Sequence, residues 1–419
     1  MNTSHPRRRA LLAGTLLAAG TAALPRAWAQ ALPTARGQGR LVVVFLRGAL
    51  DGLSAFVPWS DPDYARLRPG IAIPPPDGSG QSTIRLDGSF GLHPALAMLE
   101  PLWREQVLAF VPAAGSPDGT RSHFDAQYQW ETARPGQSGD APGWLNLLAA
   151  QLGGAGGDAQ PRILGVGEAN PRLLAGREPV QLVAHGKAAQ RAGALENPRQ
   201  RETLMALYDG DDAVSQAFRR GAAERMDTAR TLSADLQQEM QAASNGAAPP
   251  ALLEQDARNL ATLMRKDRSL RLGFLSAGGW DTHVGQGAAS GQLADNLRKL
   301  GAALAQLRRD LHEPGDVVVV ASEFGRTTAE NGTRGTDHGH GNAMWLIGNP
   351  VAGGRWHGQW SGLARANLHE GRDLPVHHDF RAVLAQVLRP TFGLQDRQLA
   401  AVLPGASWDA RLDGLLRRA

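Results

Sequence analysis

The stretch that most constrains this chain runs from residue 270 to residue 320. An apolar run at 270–275 comes first. Then Leu293, Leu297, Leu300, Leu304, Leu307 and Leu311 recur at spacings of four and three, and Pro314-Gly315 closes the segment ahead of Val317-Val318-Val319-Val320. Leucines at that spacing share one face of a helix. Four consecutive β-branched residues are the mark of a strand buried on both faces. Strand, amphipathic helix and strand in this order predict a right-handed βαβ unit with parallel strands. Asp281 and Glu323, each just past a strand, then leave the same edge of one sheet. The leucine face reads as core; a coiled-coil partner is the other use of such a pattern.

The rest of the chain repeats the theme. Apolar runs at 41–46, 107–111, 162–166, 180–184 and 343–347 predict further strands, and 93–103, 143–152 and 379–388 have helical patterns. Residues 58–92, rich in Pro, Gly and Asp, predict a long surface excursion. Residues 199–264 predict a mostly helical insertion. These runs predict an α/β fold with a mostly parallel sheet, one domain over 40–419.

The first residues carry an export pattern. Arg7-Arg8-Arg9 precedes an apolar run at 10–24 and Ala27-Trp28-Ala29, an A-x-A cleavage site. Consecutive arginines ahead of a mildly hydrophobic run predict a twin-arginine signal over 1–29, with the twin-arginine translocase as partner and a periplasmic or secreted destination; an ordinary secretory signal is the simpler alternative. The run is too short to span a bilayer, and no later segment is long and apolar enough. Removing the four leader arginines leaves 40 basic residues against 40 acidic ones, so the mature chain is neutral. That balance excludes the basic stripe nucleic-acid binding requires. With no cysteine, disulfides, thiolate metal sites and cysteine nucleophiles are excluded too.

Any metal must therefore be held by His, Asp or Glu. Asp281 and His283 are two apart, as are His338 and His340, and in extended chain such pairs share a face. Glu323 follows the strand between them, and Asp51 follows the first strand, where open α/β sheets place their sites. Asp51, Asp281, His283, Glu323, His338 and His340 form the expected ligand set for divalent metal, zinc or manganese, with one or two ions per chain. Ser122 stands ahead of a helical segment with Asp125 three residues on. It reads as a helix cap or as a nucleophile activated by metal. His123 is a candidate ligand, proton shuttle or packing residue, and Asp337 stands beside the last histidine pair.

Gly-Gly-Trp-Asp-Thr-His at 278–283, Ser-Glu-Phe-Gly-Arg-Thr at 322–327, Asp-His-Gly-His-Gly-Asn at 337–342 and Ser-His-Phe-Asp-Ala-Gln at 122–127, behind a twin-arginine leader, resemble the exported bacterial family called domain of unknown function 1501. That family is grouped with the alkaline phosphatase and sulfatase superfamily. The resemblance implies an alkaline phosphatase-like three-layer α/β/α sandwich with a mostly parallel central sheet and a binuclear metal site at the C-terminal strand edge, with Ser122 as nucleophile, the acids and histidines as ligands, and Arg47, Arg121 and Arg326 as anion clamps. It departs from the superfamily pattern where Asp-x-His replaces Asp-x-x-x-His and where Glu323-Phe324 replaces an Asp-His pair. The expected function is a metal-dependent hydrolase of phosphate or related esters acting on a small anionic substrate. A non-catalytic metal- or glycan-binding protein on the same scaffold is the alternative.

Overall fold

Alternation along the first strand decides the layering. In β1 (Arg40–Leu46) every residue is buried. Val42, Val44 and Leu46 belong to one apolar cluster, and Leu41, Val43 and Phe45 to another. Successive side chains of a strand point to opposite faces, so the two clusters are the two faces of the sheet. The computed structural model describes residues 39–153, 162–166, 171–186, 198–224, 226 and 252–417. The expected leader at 1–29 and much of the expected insertion at 199–264 lie outside those residues.

The strands following β1 are β2 (Phe56–Val57), β3 (Ile84–Arg85), β4 (Gly91–Leu92), β5 (Leu108–Gly115), β6 (Arg162–Val166), β7 (Val180–Val183), β8 (Leu270–Ala277), β9 (Asp316–Ser322), β10 (Asn342–Gly348), β11 (Arg355–Trp356) and β12 (His378–Asp379). Among the described residues nine of the twelve strands, β1 included, form one sheet in the order β11-β5-β10-β9-β1-β8-β6-β7, with β12 paired to β5; β2, β4 and β3 form a small second sheet. Among the described residues of the large sheet β10 alone runs against its neighbours, and the other pairs are parallel. The protein is thus α/β with a large, mostly parallel sheet.

The strand–helix–strand unit exists, with one difference from the sequence reading. β8 and β9 are parallel but not neighbours, because β1 lies between them and pairs with both. The helix Gln292–Asp310 covers this region. Its leucines are buried in the same cluster as Leu260, Leu263 and Met264 of the helix Leu252–Lys266. Partners within the chain cover the leucine face. On the opposite face Trp130, Trp144, Phe380 and Leu384, from the helices His123–Thr132, Trp144–Leu152 and Phe380–Phe392, pack on Phe45, Phe274 and Val319.

The 58–92 stretch does more than run over the surface. It holds the helix Pro62–Leu67 and two strands of the small sheet, and it buries Tyr64, Arg68, Ile71 and Ile73. At the other end of the large sheet Arg40 forks onto Asp316, with Nε and Nη2 donating to the two carboxylate oxygens at 2.8 and 2.7 Å. This buried pair ties β1 to β9 where the strands begin.

Parallel strands all present their C-terminal ends at one edge. β1, β8, β9 and β5 release residues 47–51, 278–283, 323–327 and 116–123 there. β10 runs the other way, so its start, just after His338 and His340, lies at the same edge.

Leu300 is fully buried against the neighbouring helix layer. Leu300→Ala is expected to lower unfolding free energy by about 2–5 kcal/mol, read as a shift in the urea midpoint without a change in slope.

Candidate metal centre

Glu323 is fully buried at the exit of β9, and a carboxylate without water must be answered by donors. Its Oε1 accepts from His123 Nδ1 at 2.8 Å, the Gly48 backbone N–H at 2.8 Å and Gln127 Nε2 at 3.0 Å, and its Oε2 accepts from Ser322 Oγ at 3.0 Å. Burial raises its pKa, but the bonds from His123 and Gln127 outweigh that and leave it lowered. The same bond to Glu323 raises the His123 pKa against its own burial. His123 and Gln127 are four apart on one helix face, so both reach the acid. Gly48 makes the approach possible: its φ is +110°, and a Cβ there would meet the Asp281 backbone nitrogen at 2.9 Å.

Two more histidines are oriented in the same way. His283 Nδ1 lies 3.1 Å from Asp337 Oδ1, and His338 Nδ1 lies 2.8 Å from the Arg121 carbonyl. Carboxylate and carbonyl oxygens only accept, so each of the three Nδ1 atoms carries a proton, and with a metal bound each Nε2 would be the nitrogen left to face it. These Nε2 atoms converge on Asp281 Oδ1: His283 at 3.0 Å, His338 at 3.2 Å and His123 at 3.5 Å. His283 and His338 also meet Nε2 to Nε2 at 3.0 Å. That contact needs either a proton on one of the two nitrogens or a metal cation lying against both.

The fit to a metal follows from these distances. Ligand atoms at about 2.0–2.1 Å from one zinc-sized ion stand roughly 3.0–3.4 Å from each other. His123, Asp281 and His338 present ligand atoms that all lie within 4.8 Å of one another. Histidines whose second nitrogen is held by a carboxylate or carbonyl are the usual metal-binding arrangement. Arg326 lies behind the cluster with its side chain fully buried, and its Nη1 is 3.0 Å from Asp281 Oδ1. Burial raises the Asp281 pKa, yet the Arg326 charge and the imidazoles around it outweigh burial and leave the carboxylate below its ordinary value.

Other residues expected at the site have different company. Asp51 is buried and its carboxylate is taken up by Arg68, whose Nη1 and Nη2 donate at 2.6 and 3.0 Å, and by Ser54 Oγ and Gln286 Nε2, both at 2.7 Å. His340 stacks on His369, ring centroids 4.4 Å apart. Ser122 caps its helix, Oγ accepting from the Asp125 N–H at 3.3 Å; it is exposed. Arg121 pairs with Glu370 and Asp373 at 2.7 and 2.8 Å. Arg47 pairs with Glu131 and Gln127. Sequence reasoning passed over Gln127, Arg68 and Gln286. The i, i+4 spacing of His123 and Gln127 is a signal for the first, but nothing local marks the other two.

A large, mostly parallel sheet with a His- and Asp-lined cluster at its C-terminal edge defines an α/β protein with a candidate metal centre. The chain belongs to the family described as "Protein of unknown function (DUF1501)", whose model matches residues 111–403. The match takes in His123, Asp281, His283, Glu323 and His338; β1 and Asp51 precede it. No curated protein matches the chain.

His340 supplies a pH dependence. Burial first, then His369, push its pKa down to about 4, whereas an unfolded histidine titrates near 6.5. Between those values the unfolded chain holds the extra proton, so stability falls as pH drops from 6.5 towards 4. His340→Gln is expected to flatten that part of the curve of urea midpoint against pH.

Proposed function

We propose that the protein is an exported, metal-dependent hydrolase of phosphate or related esters. The observation that carries this is the convergence of three imidazole Nε2 atoms on Asp281 Oδ1, each imidazole held by an oxygen at Nδ1. His123, His338 and Asp281 would hold the ion. A divalent metal held there by three protein groups would supply Lewis acidity to an ester oxygen and a lowered pKa to a water molecule, the chemistry of catalytic zinc sites.

The chain's own groups supply the rest. Asp337 holds the His283 proton on Nδ1, so with a metal drawing off Asp281 and His338 the Nε2 atom would be the base for a water at the site. Asn331 Nδ2 donates to the same Asp337 oxygen at 3.0 Å and fixes its position. Arg326 offsets the Asp281 charge from behind, and the half-buried Arg372, bonded to the His338 carbonyl at 2.8 Å, brings a cation to the rim for an anionic substrate. Ser122 is a helix cap in this scheme rather than a nucleophile, since its hydroxyl is exposed and meets the Asp125 N–H. The phosphate-ester class rests on the likeness to the alkaline phosphatase and sulfatase superfamily. Periplasmic delivery by the twin-arginine translocase rests on Arg7-Arg8-Arg9 and the apolar run behind them.

Elemental analysis of the folded protein is expected to give one zinc or manganese ion per chain, lost in His338→Ala. On a panel of phosphate and sulfate monoesters and diesters, Asp281→Ala is expected to lose turnover. Ser122→Ala should keep it, at a stability cost of about 0.5–2 kcal/mol. Metal bound without turnover of any ester would replace the hydrolase with a binding protein. Equal turnover by the parent and Asp281→Ala would remove the site assignment.

A further inference from the structure

The side chains of the candidate centre come from irregular segments, and the ladder bonds of the sheet do not reach them. Asp281 and His283 lie in the segment after β8, and Asp337 and His338 lie in the segment before β10. Beneath them is a closed network of buried polar groups. Gln286 is fully buried. Its Oε1 accepts from Thr282 Oγ1 at 2.7 Å and from Thr336 Oγ1 at 2.9 Å. Thr282 stands between Asp281 and His283, and Thr336 immediately precedes Asp337. The two threonines are also joined directly, Thr336 N–H to the Thr282 carbonyl at 3.1 Å.

The other end of the Gln286 amide is equally committed. Nε2 donates to Asp51 Oδ2 at 2.7 Å. A carboxylate cannot donate, and the two hydroxyls have their protons to give, so only one orientation of the amide satisfies the site. Asp51 is in turn fixed by Arg68, which also donates to the carbonyls of Thr327 and Thr328 at 2.9 and 2.8 Å. Thr327 closes the circuit: its N–H donates to the Asp337 carbonyl at 2.9 Å, and its Oγ1 accepts from the Asp337 N–H at 3.1 Å. Asp51, Ser54, Arg68, Thr282, Gln286, Thr327 and Thr336 are all buried. A polar network this deep is either fully satisfied, and then rigid, or costly.

We infer that Gln286, anchored by Asp51 and Arg68, is the positioning residue of the metal centre: its amide pins the segments bearing Asp281, His283 and His338 at the spacing a metal requires. The inference rests on the metal reading given above. It gives Asp51 a role through hydrogen bonding instead of coordination. Partners that orient metal ligands typically change metal affinity by about ten- to a hundredfold when removed.

The test uses the full mature chain and a readout that simple loss of stability does not move. Thr282→Val removes one hydroxyl at constant shape, Thr282→Ser restores it, and Gln286→Met removes the amide. Zinc affinity is measured by competition with a chromogenic chelator, and the visible spectrum is recorded on the cobalt-substituted protein, all on material whose circular dichroism matches the parent. The expected result is about a tenfold or greater loss of zinc affinity and an altered cobalt band in Thr282→Val, with parent-like values in Thr282→Ser. Gln286→Met should be at least as impaired as Thr282→Val. Should it fail to fold, the valine and serine pair decides alone. Parent-like affinity and spectrum in Thr282→Val would overturn the positioning role while leaving the metal site standing. A parent chain that binds no zinc or cobalt would overturn the metal reading itself, and the positioning role with it.

Discussion

Placing a guanidinium in the protein interior commits everything around it. Arg68 has no exposed surface, and its charge is answered by both oxygens of Asp51 and by two carbonyls of the segment after β9. Once the pair is inside, neither partner is easily given up, because the survivor would be a lone charge away from water. The loop after β1, the excursion at 58–92 and the segment after β9 are therefore held to one another by electrostatics before any apolar contact is considered. The sheet sets the direction in which these loops leave, and the pair sets how far apart they stand.

The acids at this edge divide by depth. Asp281, about half exposed, faces the imidazoles. Glu323 and Asp51, with almost no exposure, face donors of the protein. Depth changes what a carboxylate is for. A buried one is surrounded by N–H and O–H groups that were drawn in to stabilise it, and those groups occupy the lone pairs a metal would need. The shallow one keeps lone pairs to offer. By the same logic a histidine becomes a good ligand when a deep or fixed oxygen accepts a hydrogen bond from its Nδ1–H, as Glu323 does for His123 and the Arg121 carbonyl does for His338.

Much of the fold was legible because its signals are local. Four valines in a row, a leucine stripe and its Pro-Gly stop need no partner to be recognised, and the strands and the long helix lie where those patterns put them. The Asp-x-His pattern at 281–283 was legible for the same reason. Long-range facts were not. That β1 inserts between β8 and β9 depends on pairings across more than two hundred residues. The burial of Arg68 could not be read from a stretch full of Pro and Gly. Glu323 looks like a ligand in sequence because nothing in its neighbours tells that Gln127, Gly48 and His123 will converge on it from two other strand ends.

The central place of β1 also has a consequence for the order of assembly. Its two neighbours in the sheet begin at residues 270 and 316, so a ribosome that has made the first strand must make most of the chain before that strand can pair. Contacts so far apart in sequence fold slowly, since a long loop must close before any ladder bond rewards it. The apolar run 41–46 spends that interval without its sheet, as the segment most in need of shelter from other chains.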